Sequence, residues 1–214
     1  MKQASKFWDK NAVKYAASPI KDQQAYEYTL ERTRSYLRAS DHVLEIGCGT
    51  GSTALLLAGS VAQFTGTDIS PEMMRIAREK AAAQGAATLT FNVATAAQSA
   101  RDATDMDVVM GFNIFHLAED LEGILASLAT RLKPGTLLIT KTPCLNEPSI
   151  GPIRFLFRGL IPVMQFLGKA PFVRSLSFHQ LEAIITEAGF QIIEAGSHPK
   201  MSRYIVARRT TDGV

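Results

Sequence analysis

Val43-Leu44-Glu45-Ile46-Gly47-Cys48-Gly49-Thr50-Gly51 is the stretch that decides how this chain is read. It begins as an apolar, β-branched run, the mark of a buried strand, and ends in alternate glycines. Leucines at positions 55–57 follow in a helical pattern, so the order is strand, tight turn, helix. Glycine takes backbone dihedrals closed to other residues and lets a ligand approach the main chain. The start of the following helix points unbonded N–H groups at any negative charge placed there. Together these describe a nucleotide-type site at the mouth of an α/β unit.

The spacing then separates two ligands. A dinucleotide fingerprint reads G-x-G-x-x-G, and Ser52 stands where its third glycine belongs. The pattern here is G-x-G-x-G, preceded by a carboxylate, Glu45. The next apolar strand, Phe64-Thr65-Gly66-Thr67-Asp68, ends on an acid at about the distance expected of a ribose-binding residue. A carboxylate accepts two hydrogen bonds, which suits vicinal hydroxyls.

This combination resembles the class I S-adenosylmethionine-dependent methyltransferases of small-molecule type, whose first motif is E/D-x-G-x-G-x-G. The resemblance covers roughly residues 40–141 and 177–208. It implies an α/β fold: a seven-stranded, mostly parallel, doubly wound Rossmann-like sheet with a helical N-terminal cap and a helical insertion after strand five. It implies S-adenosylmethionine as cofactor, held by Glu45, Gly47, Cys48, Gly49 and Gly51 of the loop, by Asp68 and Ile69, and by Met73 of the next helix. Ser70-Pro71-Glu72 opens that helix with an N-cap serine, a proline at the first position and an early acid. Ser70 fills the capping role, which leaves Asp68 for the ligand.

Length and composition set the bounds. The 214 residues are 46% hydrophobic and 20% charged, enough for one α/β domain with a full core. A net charge of +3 does not imply a nucleic-acid partner. The two cysteines, Cys48 and Cys144, give no disulfide framework, so a cytoplasmic location is expected. The polar start, Met1-Lys2-Gln3-Ala4-Ser5-Lys6, does not read as the apolar region of a signal peptide, so none is expected, and no run has the roughly eighteen apolar residues of a spanning helix. A single domain is expected over 1–214, divided into a cap (1–40), a cofactor-binding core (41–147), a lid or insertion (148–176) and a helix with closing hairpin (177–214).

Along the chain, Phe7-Trp8-Asp9-x-x-Ala12-x-x-Tyr15 resembles the family's N-terminal segment that folds over the cofactor, with Tyr15 near its methionine end. These aromatics serve equally well as anchors of an amphipathic helix. Pro19 breaks the segment, and a second helix is expected over 21–38. Strand three, 87–94, departs from the family: a Gly-Asp pair usually ends it, and here Ala94-Thr95-Ala96 stand instead. Thr95 or the Ala96 backbone is left to meet the adenine. Strand four, 106–113, runs into Asn113-Ile114-Phe115-His116, similar to the family's N-x-x-x-H segment, with Asn113 beside the cofactor. His116 is the candidate general base, with an ordinary pKa near neutrality; a packing histidine is the alternative. No acids stand where a metal-dependent relative would place them, the other histidines are scattered, and no metal is expected.

Lys133-Pro134-Gly135-Thr136 enters strand five, 137–141. Ser177 and Gln180 form a capping box before a helix over 177–189, and 191–195 with 204–207 read as the closing hairpin. Between them, residues 148–181 contain no acid. Arg154, Arg158, Gln165 and Lys169 fall on one helical stripe, with Ile153, Phe157, Leu160, Met164 and Leu167 on the other side. That pattern suits a lid over an apolar pocket or weak peripheral contact of 151–172 with a membrane surface. Four prolines from Pro148 to Pro171 argue against one straight helix.

The expected function is methyl transfer to a small, apolar or amphiphilic acceptor by in-line displacement. Alignment alone contributes on the order of 7–11 kcal/mol to such a reaction. Two other readings compete: a non-catalytic S-adenosylmethionine-binding module, and an NAD-dependent oxidoreductase, which Ser52 and Glu45 oppose.

Overall fold

In the computed structural model, which describes residues 2–211, the glycine-rich stretch opens as strand β1 (His42–Ile46) in the middle of one sheet. The chain winds outward on one side through β2 (Gln63–Asp68) and β3 (Leu89–Val93). It then returns to the other side of β1 for β4 (Val108–Phe112) and β5 (Leu137–Pro143). A hairpin of β6 (Phe190–Gly196) and β7 (Ser202–Arg209) completes the order β3-β2-β1-β4-β5-β7-β6. β7 is antiparallel to both its neighbours, and the remaining pairings are parallel. The winding reverses between β1 and β4, where open α/β sheets hold their ligands at the carboxyl ends of the strands.

Alternation along the strands builds a core on each face. In β1, Val43 packs on one side and Leu44 and Ile46 on the other. The face of Leu44 and Ile46 is covered by α5 (Ala96–Asp102), α6 (Leu121–Arg131) and α8 (Phe178–Glu187), whose Leu121, Leu125, Leu128, Leu181 and Ile185 have no exposed surface. The face of Val43 packs with α2 (Gln23–Arg34), α3 (Ser52–Leu57) and α4 (Pro71–Ala83). A fully buried leucine of this kind contributes about 1.5–3 kcal/mol.

Two further helices flank these layers, and the first buries Ala12 in the core of the Val43 face. The first, α1 (Lys2–Ala17), docks on α4: Asp9 accepts hydrogen bonds from the Ser70 hydroxyl (2.6 Å) and from the Glu72 amide (3.1 Å). The second, α7 (Ile153–Phe166), carries no buried residue. Pro162 lies inside it and the helix continues, against the expectation of a break. Pro152 caps it, where a missing N–H costs nothing, so the prolines shape its start more than its course. The exposed apolar stripe is Ile153, Leu156, Leu160, Val163 and Leu167. Phe157 and Met164, expected on that stripe, are half-buried.

Further differences are local. The second helix stops at Arg34, because Ser35 caps it and the Arg38 amide turns to the Asp41 carboxylate. α5 was not signalled; it is seven residues long, with a small polar sequence that shows no apolar periodicity.

Candidate functional site

The glycine loop is held in one shape by three contacts. Gly47, Gly49 and Gly51 all have positive φ, from 55° to 71°. A Cβ on Gly47 would sit 2.6 Å from the Ile114 side chain, so the loop closes against the segment after β4. A Cβ on Gly51 would meet Phe91 at 2.7 Å. The third contact is Asp68, whose Oδ2 accepts from the Gly49 amide (3.1 Å) and Oδ1 from the Ser70 amide (2.9 Å). Asp68 therefore ties the loop to the turn into α4, in addition to the Ser70 side-chain cap on Met73. Burial holds its carboxyl above the usual range, and the two backbone amides oppose that rise.

Two cavities open on either side of this loop at the carboxyl end of the sheet. The first, about 400 Å³, is walled by Asp68, Ile69 and Met73, by Thr95 and Ala96, and by Trp8 from α1. The second, about 460 Å³, runs from Glu45 and Cys48 beneath α2 to Lys141 and Ser202. Tyr15, Gly47, Gly49, Phe112 and Asn113 line both. Tyr15 thus stands at their junction, its ring over Gly49 and edge-on to Trp8 at 6.2 Å. Burial first, then the Asp68 and Glu45 carboxylates, raise its phenol pKa.

The sequence-derived site residues divide accordingly. Tyr15, Gly47, Gly49, Asp68, Ile69, Met73, Thr95, Ala96 and Asn113 meet at the first cavity, and Glu45 and Cys48 reach the second. Gly51 lines neither; its missing side chain makes room for Phe91. His116 also lines neither cavity. Burial pushes its pKa down to about 4, far from the near-neutral value expected, and its Nδ1 has no partner among the described residues. Such an imidazole is neutral at pH 7 and a weak base.

Thr95 lines the first cavity with its hydroxyl already committed. It accepts from the Gln98 amide (3.1 Å) and donates to Gln98 Oε1 (2.9 Å), which also accepts from the Thr95 amide (2.9 Å) to complete the capping box that starts α5. Lys141, at the far end of the second cavity, was not singled out in the sequence. A lysine at a strand end ordinarily reads as solvated. The alternation of β5 puts it on the side of Ile139, the face that carries Val43 and Glu45.

Known proteins bear out the same reading. A profile described as a methyltransferase domain matches residues 43–135. A ubiquinone biosynthesis O-methyltransferase of Burkholderia pseudomallei is 26% identical over 97% of this chain and 88% of its own length. The chain belongs to the class I S-adenosylmethionine-dependent methyltransferases. Solved structures agree on the fold of this methyltransferase. A magnesium protoporphyrin IX methyltransferase from Synechocystis PCC 6803 with bound S-adenosylhomocysteine superposes with a TM-score of 0.72 at 19% identity, covering 98% of this chain and 99% of the other. A [4+2]-cyclase gives 0.72 at 17% identity over 89% and 83%, so the fold by itself does not specify the reaction.

The site of this methyltransferase suits its cofactor on an observation of its own. Glu45 is buried in the sheet, and its Oε2 has no hydrogen-bond partner among the described residues. Burial, with Asp68 nearby, pushes its pKa up to about 8. A buried carboxylate without a donor is costly unless a cation arrives. A ligand bearing an ammonium group would supply one.

Proposed function

We propose that this methyltransferase acts on a small, apolar or amphiphilic acceptor at an oxygen atom, with its cofactor laid across the glycine loop between the two cavities. On this reading the ribose lies at Asp68 and the adenine against Ile69, Met73 and Ala96. The amino-acid end passes Tyr15 and Gly47 so that its ammonium meets Glu45. The unpartnered Glu45 oxygen carries the proposal, since it asks for a cation where the family motif puts one. S-adenosylmethionine supplies a methyl group on a sulfonium, and the protein's share is alignment and exclusion of water. With His116 neutral, low in pKa and outside both cavities, it is not placed as the base; an acidic hydroxyl that has already lost its proton to water needs only positioning.

Two observations favour an acceptor with hydrocarbon character. The relatives that match nearly the whole chain carry the name ubiquinone biosynthesis O-methyltransferase. The apolar stripe of α7 is exposed beside Arg154 and Arg158, in a segment with no acid from 148 to 181. That face suits weak contact with an anionic bilayer, at about 1 kcal/mol per cation. No helix among the described residues is long and apolar enough to cross a membrane.

The test is to incubate the protein with methyl-labelled S-adenosylmethionine and, separately, the lipid-soluble and water-soluble fractions of a cell extract. Label should enter an organic-extractable product and be released by ether-cleaving rather than amide-cleaving treatment. Label confined to a polar product, or to nitrogen, overturns the acceptor class.

A further inference from the structure

Lys141 and Glu45 lie on one face of the sheet with one strand, β4, between them. Glu45 is in register with Met110, and Lys141 with Phe112, so Lys141 sits two residues nearer the open end. Adjacent strands are about 4.8 Å apart, which puts the two side-chain origins on the order of 10 Å apart across the sheet. Both line the second cavity.

Their needs are opposite. Glu45 has an oxygen without a donor, whereas Lys141 has an ammonium without a counter-ion. The Lys141 amine donates to the Thr29 hydroxyl at 3.1 Å, and that hydroxyl donates to the Ala25 carbonyl at 2.7 Å. Among the described residues no carboxylate comes within salt-bridge distance of Lys141. Asp22, at the cavity edge, acts on it only at longer range and already caps α2 through the Ala25 amide. Burial lowers the pKa of this amine, the sign of an ammonium removed from water without compensation. Lysine offers three donors and one is used here, so a ligand anion is the natural occupant of the rest.

We propose that Lys141 is the specificity residue of the acceptor site, binding an anionic oxygen, carboxylate or acidic hydroxyl, on the molecule to be methylated. The inference rests on the cofactor lying across the glycine loop, and it deepens that reading by giving the acceptor a charge. The strand order separates the two ligands: the loop that ends β1 faces the cofactor, and β5, beyond Phe112 and Asn113, faces what lies past the junction. The acceptor then has an apolar body against Phe112 and one negative group at Lys141.

The experiment uses the protein loaded with S-adenosylhomocysteine and two probes of equal shape, benzoate and benzamide, titrated calorimetrically. Benzoate should bind at least about tenfold more tightly than benzamide, the range of a hydrogen bond to a charged group. Lys141→Met should erase the difference and Lys141→Arg should keep most of it. The wild-type comparison stands even if Lys141→Met does not fold. Equal binding of the two probes to the wild type overturns the proposal. So does a Lys141→Met variant that loses S-adenosylhomocysteine but keeps 5′-methylthioadenosine, for then Lys141 holds the cofactor's own carboxylate. Failure of the wild type to bind S-adenosylhomocysteine at all would instead refute the placement of the cofactor.

Discussion

The helices α1 and α7 are both amphipathic, yet they meet the rest of the protein in opposite ways: α1 buries Ala12 in the core, and α7 buries nothing. α1 is fastened through Asp9 to the start of α4 and sends Trp8 and Tyr15 into the cavities. α7 contributes no residue to either cavity and leaves Phe166 91% exposed. The difference teaches that an apolar stripe alone does not dock a helix. α1 joins a buried apolar contact, Ala12, to the Asp9 latch, and among the described residues the stripe of α7 has neither.

If α1 belongs to the cofactor side, the ligand chemistry beneath it should dominate every measurement. The largest effect is expected from Glu45. Its pKa of about 8 in the free protein means it is mostly protonated at pH 6–7. Binding of a cation favours the carboxylate, so a proton is released. Affinity for S-adenosylmethionine should therefore rise about tenfold per pH unit toward pH 8 and level off above it. Glu45→Gln should flatten that profile; a wild-type affinity independent of pH between 6 and 8 defeats the assignment. The linkage to folding has the opposite sense. Because the folded pKa lies above the unfolded one, the cofactor-free protein should lose stability as pH climbs from about 4.5 toward 8.

Next in size is Asp68→Asn, which keeps one acceptor for the loop and removes the charge. Loss of a charge-assisted bond to ribose should weaken cofactor binding about tenfold or more. Equal affinity of the variant in calorimetry would leave Asp68 a purely structural clasp. Asp9→Ala probes the latch itself. Removing a capping side chain should cost about 1 kcal/mol of stability and weaken the cofactor several-fold, because Trp8 and Tyr15 lose their seat. A fall in melting temperature with unchanged affinity would separate α1 from the site and spoil the contrast with α7.

On the other side of the comparison, Arg154→Glu with Arg158→Glu should abolish salt-sensitive pelleting with anionic vesicles and leave cofactor affinity alone. A wild type that ignores such vesicles at low salt overturns the bilayer contact of α7. The smallest effect is expected from Phe166→Ser, within about 0.5 kcal/mol of wild-type stability, since so exposed a side chain packs against little. A larger loss would mean α7 is covered in solution.

Much of this was legible in the sequence because the cofactor half obeys local rules. Strand alternation, the glycine turn and the Ser70-Pro71 cap each report structure within a few residues of themselves. The site was less legible where meaning depends on pairing across strands. Lys141 acquires its role only once β5 is in register with β4, and Gly51 loses its expected role once Phe91 of β3 arrives beneath it. His116 read as a base from its spacing, while the structure buries it and brings the Arg174 amide, far along the chain, to its carbonyl. The course of α7 through Pro162 was hidden because a proline removes one helical hydrogen bond without obliging the helix to end there.

The two backbone bonds made by Asp68 carry a kinetic consequence. By joining Gly49 to Ser70 they make the loop and the following turn one preshaped cradle before any ligand arrives. Encounter then needs no slow search for the receptive shape, and the cofactor should associate at a rate little altered by most substitutions around it. Differences among variants should appear in how long the ligand stays. The Gly49 amide, already bonded, should resist hydrogen exchange in the free protein nearly as well as in the complex.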